Sequence, residues 1–386
     1  MKTSTDRILT THAGSLPRSE ELRALLGRQS RREPVDAAAL AAAVDASTRH
    51  VVARQLAAGI DVGNDGEQGR ESFFTYLQHR LSGFGGVGQR PPMRDIVHFQ
   101  SFLALRLPEF SRATVNLLAA PAAIGDVRHV DRGPLERECA AVRAILAEQR
   151  DGFVEPFMTA PSPGIVAAAM TNAHYPRFED YLAAVGAALR VEYEYIVAQG
   201  FVLQIDAPDL AMERHTSFAD RPLEEFLTFV DATVATINAA LAAVPADRVR
   251  LHVCWGNYEA PHLFDVPLEA ILPRLHAARV GAIVLSMANP RHAHEHRVLA
   301  RHPLPAHMLL VAGVVDTTTN YVEHPEVVAD RIELAARAVG DPRRVIAGTD
   351  CGFETAAGLG EVAEEVVWEK LRALREGADL AGRRLL

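Results

Sequence analysis

Short apolar runs alternate with longer stretches of helical periodicity along most of the chain. Eight of the runs are typical of buried strands, because each is brief and leads into polar residues, glycine or proline. They cover residues 8–11, 60–63, 153–159, 201–205, 249–255, 282–286, 308–315 and 345–348. Helices are predicted between them, the clearest at residues 36–59, 178–199, 222–244 and 325–339. This alternation predicts a parallel sheet with helices on both faces.

Eight strand–helix units are the number needed to close a (β/α)₈ TIM barrel. The chain has 386 residues, of which 48% are hydrophobic, so it can bury the large core that such a barrel needs. We therefore expect residues 1–386 to form a single barrel domain. Residues 82–150 do not fit one strand–helix unit, and we expect them to form an insertion on the rim after the second strand.

Composition excludes several classes of function. The net charge of −9 comes from interspersed acidic and basic residues, so no nucleic-acid surface is expected. No apolar run approaches 18 residues and no signal-peptide core is visible, so we expect a cytoplasmic protein without a membrane partner. Three cysteines form no disulfide framework, which leaves thiols for a metal. The two lysines, Lys2 and Lys370, lie outside every candidate site, so Schiff-base chemistry is not expected.

Polar residues collect at the carboxyl ends of the predicted strands. Barrel enzymes place their active sites at that face, in the loops that follow the strands. Any one of these residues is as typical of a solvated loop as of a functional site. Their occurrence together at one end of the predicted strands is what indicates a site. The residues concerned are His12, Ser15, Glu67, Asp206, His252, Cys254, Asn289, Asp316 and Cys351.

Three of these residues have the chemistry of a metal site. The alternation of residues 250–255 places His252 and Cys254 on the same face of one strand, and Cys351 follows the last predicted strand. Zinc binds imidazole nitrogen and thiolate sulfur, and catalytic zinc sites keep one position open. The pattern predicts catalytic zinc, against the alternative of core cysteines and a hydrogen-bonded core histidine. The remaining Cys139 lies in a helical stretch and is predicted to be buried packing.

Five strings in this sequence resemble, in order, the motifs of the catalytic C-terminal domain of cobalamin-independent methionine synthase. They are THAGSLPR at 11–18, GNDGE at 63–67, QIDAP at 204–208, HVC at 252–254 and DCG at 350–352. The resemblance covers nearly the whole chain and looks closest to short methionine synthase II-like proteins, whose pattern includes residues 206–215 and 289–292. Epoxyalkane:coenzyme M transferase, a zinc enzyme that alkylates a thiol, belongs to the same superfamily.

The resemblance implies a zinc-dependent methyl or alkyl transferase in which a zinc-bound thiolate substrate is alkylated. The zinc ligands would be His252, Cys254 and Cys351. The implied partners are a small-molecule thiol and an alkyl donor, and a homo-oligomer is possible. Substrate-binding roles fall on Ser15, Glu67, Asp206 and Asn289, and catalytic roles on Asp316 and His12. Carboxylates suit a substrate ammonium group, and a hydroxyl beside glycine-loop amides suits a carboxylate.

Two departures from the methionine synthase pattern bear on the donor. Methionine synthases supply a glutamate as a further zinc ligand where this chain has Leu285-Ser286-Met287-Ala288, and a histidine where it has residues 316–320, DTTTN. Loss of the carboxylate and of the proton donor predicts that methyl-tetrahydrofolate is a poor donor. His292 or Glu295 is a candidate replacement for the missing fourth ligand.

Three other interpretations compete with the transferase. Residues 292–296 match the His-x-x-Glu-His pattern of zinc peptidases, but no third ligand is visible. The glycine pattern at residues 83–88 matches a dinucleotide-binding fingerprint, but the strand before it and the helix after it that the fingerprint requires are not predicted. This context favours a flexible loop. A zinc- or ligand-binding barrel that has lost turnover remains the alternative from a different functional class.

Overall fold

The structure, a computed structural model, describes residues 1–110, 114–115 and 117–386, and its side-chain description leaves out residues 107–110. A six-stranded sheet runs through the middle of the protein. All of its neighbouring strands are parallel, and their spatial order follows the chain. The sheet strands are β3 (Phe157–Pro161), β4 (Val202–Asp206), β5 (Val249–Val253), β6 (Ala282–Leu285), β7 (Leu309–Val315) and β8 (Val345–Thr349), and a separate antiparallel pair consists of β1 (Phe84–Gly85) and β2 (Ala122–Ala123).

Helices follow most of the sheet strands, which gives the α/β fold that the alternating pattern predicts. Several begin where a side chain caps the free amides of the first turn: Ser19, Asp36 and Ser162 each accept a hydrogen bond there. The helices are α1 (Glu20–Ser30), α2 (Ala37–Ala57), α3 (Arg94–His98), α4 (Gln100–Phe110), α5 (Gly133–Ala147), α6 (Pro163–Ala169), α7 (Phe178–Ala198), α8 (Asp209–Met212), α9 (Leu223–Ala240), α10 (Leu268–Leu275), α11 (His296–Arg301), α12 (Pro325–Val339) and α13 (Glu364–Leu385).

The first two predicted strands are shorter than expected. Residues 8–11 and 60–63 form isolated parallel bridges, Thr10 with Ala347 and Thr11 with Val62. One reason is that the Asp61 carboxylate, rather than a neighbouring strand, accepts the Thr10 amide at 2.9 Å. Backbone hydrogen bonds nevertheless join both segments to the sheet: Ala347 N to Leu9 O (2.9 Å), Val62 N to Thr10 O (2.9 Å) and Phe157 N to Gly63 O (3.0 Å).

The segment predicted as an insertion, residues 82–150, contains the β1–β2 pair and helices α3, α4 and α5. Its Cys139 is fully buried in α5, as the helical pattern predicts. The glycine string at 83–88 includes β1, which pairs antiparallel with β2, and the next helix does not begin until Arg94. This stretch therefore lacks the strand–turn–helix context of a dinucleotide fingerprint.

A buried arginine connects the sheet to the N-terminal loop. Arg250 on β5 is 1% exposed, and its guanidinium lies 3.7 Å from the centre of the Phe157 ring. It donates to Gln204 Oε1 at 2.8 Å, to Thr11 Oγ1 at 3.1 Å and to the carbonyl of His12 at 3.0 Å. Burial lowers its pKa to about 9. These bonds hold the loop after residue 11 in a fixed place beside the end of β5. Among the described residues, no helix is both long and apolar enough to cross a bilayer.

Candidate metal centre

His252, Cys254 and Cys351 come together at the carboxyl ends of β5 and β8. Their ligand atoms all lie within 4.8 Å of one another, and the two sulfur atoms are 3.9 Å apart. All three side chains are buried. Two zinc–sulfur bonds of about 2.3 Å at a tetrahedral angle separate the sulfurs by about 3.8 Å. The donor set and its spacing therefore fit a zinc ion, with the remaining position open.

Asp206 orients the histidine of this group. It ends β4 beside His252 in the sheet register, and its Oδ1 lies 3.0 Å from His252 Nδ1. A proton on Nδ1 that is donated to this carboxylate leaves Nε2 as the lone-pair nitrogen for a metal. Histidine ligands of metals are commonly held by a carboxylate in this way. Gln204 Nε2 donates to the same oxygen at 2.7 Å, which fixes the carboxylate in turn.

The side chains of the trio shift one another's pKa values. The hydrogen bond from Cys351, more than any other cause, lowers the pKa of Cys254 well below its usual range, and the same contact raises the pKa of Cys351. Burial lowers the pKa of His252, but the Cys254 thiolate and Asp206 outweigh it and raise that pKa to about 10. A metal ion that binds here would take the place of the protons on these groups, so its affinity would depend on pH.

A cavity of about 500 Å³ opens onto the trio. Its size lies within the usual range for small-molecule sites. Three of the residues predicted to bind substrate, Ser15, Glu67 and Asp206, also line it. The structure thus places these side chains and the metal centre on one cavity, while their individual roles stay predictions.

Glu67 has an unusual position within the cavity. Its backbone adopts φ 57°, a left-handed conformation that is uncommon for a residue with a side chain. Thr159 Oγ1 donates to Oε1 at 2.8 Å, whereas the buried Oε2 has no hydrogen-bond partner within the described part of the chain. Burial, followed by the charge of Asp206, raises the pKa of Glu67 to about 7. The free oxygen is suited to accept a hydrogen bond from a substrate.

Two glycines allow the loops around the cavity to approach one another. A Cβ on Gly14, whose φ is 128°, would lie 2.7 Å from Glu67 Oε1. A Cβ on Gly352 would lie 2.0 Å from Ser15 Oγ. Because both distances are far inside van der Waals contact, these motif glycines are needed for the loops to bring Glu67 and Ser15 beside the metal centre.

His12, predicted to be catalytic, does not line the cavity. Its Nε2 is 2.8 Å from Gln55 Oε1, and its Nδ1 accepts the Gly14 amide at 3.2 Å. Burial lowers its pKa to about 4, so the ring is neutral. With both nitrogens engaged, His12 supports the loop and has no free atom for a substrate.

Asn289 and Asp316 line a second, smaller pocket that reaches Cys351 from another side. The Asp316 carboxylate accepts hydrogen bonds from the Thr318 amide at 2.9 Å and from Thr319 Oγ1 at 2.8 Å. Asn289 Oδ1 accepts the Arg291 amide at 2.9 Å. Both predicted residues are thus absent from the lining of the main cavity and stabilise their own turns.

His292 and Glu295, the two candidates for a fourth ligand, are both hydrogen-bonded to other groups in this structure, and their role as a ligand stays a prediction. His292 Nδ1 lies 3.0 Å from Glu295 Oε2, and its Nε2 lies 2.8 Å from Asp265 Oδ2. The other Glu295 oxygen accepts the Leu268 amide at 2.7 Å. Among the described residues, the metal-ligand group at this centre consists of the trio alone. His292 also precedes α11, which begins at His296, so the two histidines are not the one-turn pair of a zinc peptidase.

A serine occupies the region where methionine synthases place their glutamate ligand. Ser286 Oγ donates to the carbonyl of Asp350 at 2.7 Å. The Asp350 carboxylate accepts the amides of Met287 and Ala288 at 2.8 Å and of Asn289 at 2.7 Å. Burial raises its pKa to about 7. The loop after β6 is therefore tied to the residue that precedes the ligand Cys351.

Sequence reasoning missed most of the cavity wall that residues 90–118 supply. The contributing side chains include Arg90, Met93, Ile96, Val97, Leu103, Val115 and Leu117. A run of apolar residues inside a segment predicted as an insertion was the available signal. Its position against the strand ends depends on tertiary contacts that no local pattern reveals.

Comparison with known proteins supplies the family. Residues 116–378 match the profile of the cobalamin-independent synthase catalytic domain. The chain is 25% identical over 333 residues to a methionine synthase of Thermococcus kodakarensis, covering 85% of this chain and 80% of that protein. It is 26% identical over 177 residues to the 2-hydroxypropyl-CoM lyase of Xanthobacter autotrophicus, covering 39% of this chain and 45% of the lyase, which is less than half of that protein.

The fold is also similar to a solved structure. The B12-independent methionine synthase from Shewanella sp. W3-18-1, in complex with selenomethionine, superposes with a TM-score of 0.75 at 21% sequence identity. The superposition covers 98% of this chain and 99% of that one. With the profile match across most of its length, this chain belongs to the cobalamin-independent methionine synthase family, as a methionine synthase II-like member.

Proposed function

We propose that this protein is a zinc-dependent transferase that alkylates a thiol substrate, in the manner of a methionine synthase. The observation that carries the proposal is the trio of His252, Cys254 and Cys351, with its ligand atoms within 4.8 Å, at the end of a substrate-sized cavity. When bound, zinc lowers the pKa of a thiol in its open position and so supplies a thiolate nucleophile at neutral pH.

The remaining roles fall to side chains on the same cavity. Glu67 and Asp206 are suited to bind an ammonium group on the thiol substrate, since both are carboxylates and Glu67 Oε2 has no partner among the described residues. Ser15 is suited to donate to a substrate carboxylate. Asp206 also keeps His252 in the tautomer that a metal requires. Together these residues would orient the thiol so that its sulfur meets the alkyl carbon in line.

Two further functions remain as alternatives. Thiol addition like that of an epoxyalkane:coenzyme M transferase is favoured by the similarity to the 2-hydroxypropyl-CoM lyase. A zinc- or ligand-binding barrel without turnover is favoured by the stretch Leu285-Ser286-Met287-Ala288, which lacks the carboxylate that the resemblance to methionine synthases implies for this loop. We also propose that residues 8–11 and 60–63 close the sheet into an eight-stranded barrel, with residues 82–150 as a rim insertion. The hydrogen bonds of both segments to β3 and β8 support that closure.

Zinc-edge absorption spectroscopy tests the proposal. The purified protein is first analysed for metal content, and its spectrum is then recorded with and without homocysteine and other small thiols. The transferase hypothesis predicts about one zinc at the trio and one additional sulfur neighbour when a thiol binds. A zinc shell that never gains sulfur, together with no consumption of thiol in the presence of alkyl donors, would support the binding barrel instead.

A further inference from the structure

The cavity at the metal centre has two chemically different walls. The polar wall carries the trio with Ser15, Glu67 and Asp206. A second part of the lining, which we name the apolar wall, consists of hydrocarbon side chains and one thioether. Its members are Phe73, Met93, Ile96, Val97, Leu103 and Leu117. The proposed function uses the polar wall and the metal, and leaves the apolar wall without a role.

The apolar wall is a built part of the structure, because the loops after the sheet strands hold it in place. The Asp95 carboxylate on α3 accepts the Leu263 amide at 2.9 Å, and both Asp95 oxygens are buried. Its neighbour Arg94 donates to the carbonyl of Ala219 at 2.8 Å. Helix α3 is therefore anchored to two separate loops, and it presents part of the apolar wall to the cavity.

The charges around the cavity disfavour an anionic donor. Among the described residues that line it, Arg90 is the one arginine or lysine. Arg90 is already ion-paired with the fully buried Glu213, whose second oxygen also accepts the Ser217 hydroxyl at 2.6 Å. A polyanionic donor would therefore bring its charges near Glu67 and Asp206 without a free arginine or lysine, among the described lining residues, to offset them.

We propose that the apolar wall is the subsite for the hydrocarbon body of the alkyl donor, and that the donor is an uncharged molecule bearing several carbons. This inference rests on the proposed function, which assigns the metal and the polar wall to the thiol. Burial of each added methylene against such a wall strengthens binding about fourfold. The affinity of the cavity should therefore grow with chain length until the wall is covered.

Calorimetric titration of the zinc-loaded protein with straight-chain 1-alkanols, from butanol to octanol, measures this growth. We expect the Kd to fall about fourfold with each methylene and the heat capacity change to be negative. The double variant Val97→Asn with Leu103→Asn should bind hexanol at least about tenfold more weakly. Both side chains are partly solvent-exposed, which favours retention of the fold. Val87→Asn is the matched control, because Val87 is 72% exposed and does not line the cavity.

Two results would overturn the subsite: a Kd that stays constant along the alkanol series, or an equal loss of binding in the Val87→Asn control. Displacement of hexanol by methyl-tetrahydrofolate triglutamate would also refute the uncharged donor. The variant with Cys254→Ser and Cys351→Ser should keep the chain-length dependence, since the apolar wall does not involve the metal. An intact alkanol series without any thiol alkylation supports the subsite and refutes the proposed function alone.

Discussion

Replacement of Asp206 tests how a supporting side chain affects metal binding, because it leaves the three candidate metal ligands unchanged. Asp206→Asn keeps the size of the side chain but removes the negative charge that faces His252 Nδ1 at 3.0 Å. The side chains of Asp206 and His252 are 8% and 4% exposed, so water does not replace the lost interaction. Changes of this kind typically weaken metal binding 10- to 100-fold, which corresponds to about 1.4–2.7 kcal/mol.

A competition titration against a chromophoric zinc chelator measures the change in affinity. We expect the zinc Kd of Asp206→Asn to rise by that factor while the far-ultraviolet circular dichroism of the metal-free protein changes little. Asp209→Asn is the matched control. Asp209 is equally buried, bonds to Ser162 at 2.5 Å, and has a pKa that burial raises to about 7. An unchanged zinc Kd in Asp206→Asn, or an equal loss in Asp209→Asn, would refute the idea that Asp206 supports a metal by holding His252.

Three further predictions concern the metal, the pH dependence and the donor. Replacement of Cys254 and Cys351 by serine should abolish zinc binding and activity without unfolding the protein, and stoichiometric zinc in that variant, measured by elemental analysis, would contradict the assignment. The raised pKa of Glu67, about 7 in the fold against 4.5, means that the folded state holds a proton that the unfolded state has lost, so stability falls as pH rises from about 4.5 to 7. Glu67→Gln should therefore stabilise the protein, relative to the parent, more at pH 8 than at pH 4.5, and the difference in the free energy of unfolding should be at most about 3 kcal/mol. Thermal melts of the two proteins across this pH range measure it, and identical pH profiles would count against the prediction. With methyl-tetrahydrofolate and homocysteine we expect methionine formation well below about 1 s⁻¹, a tenth of the median enzyme rate, and faster turnover would restore folate as the donor.

Local patterns were sufficient for the elements that build the metal centre. The period-two alternation of residues 250–255 correctly brought His252 and Cys254 together at the end of β5, and the apolar run at 345–348 correctly located the strand before Cys351. Six of the eight predicted strands are present, because buried parallel strands have a strong apolar signal. The segments 8–11 and 60–63 were harder, since the side chain of Asp61 replaces ladder bonds and no residue preference reveals that substitution.

The sequence does not determine the direction of a loop side chain or the partners that it finds. His12, His292 and Glu295 all lie near strand ends, yet each is used within the protein. His292 stacks on Trp255 with ring centres 3.8 Å apart. Such outcomes depend on long-range packing, which sequence position alone does not determine.

The serine after β6 has a consequence for how this site can change over evolutionary time. Ser286 holds the carbonyl of Asp350, the residue directly before the ligand Cys351. Ser286→Glu, the single replacement that would restore a carboxylate at this position, also deletes the bond that steadies the neighbouring ligand. If the trio binds zinc, a change to a four-ligand site through this position would therefore need more than one substitution, with a weaker metal site between them. A zinc Kd for Ser286→Glu lower than that of the parent protein would show that this barrier does not exist.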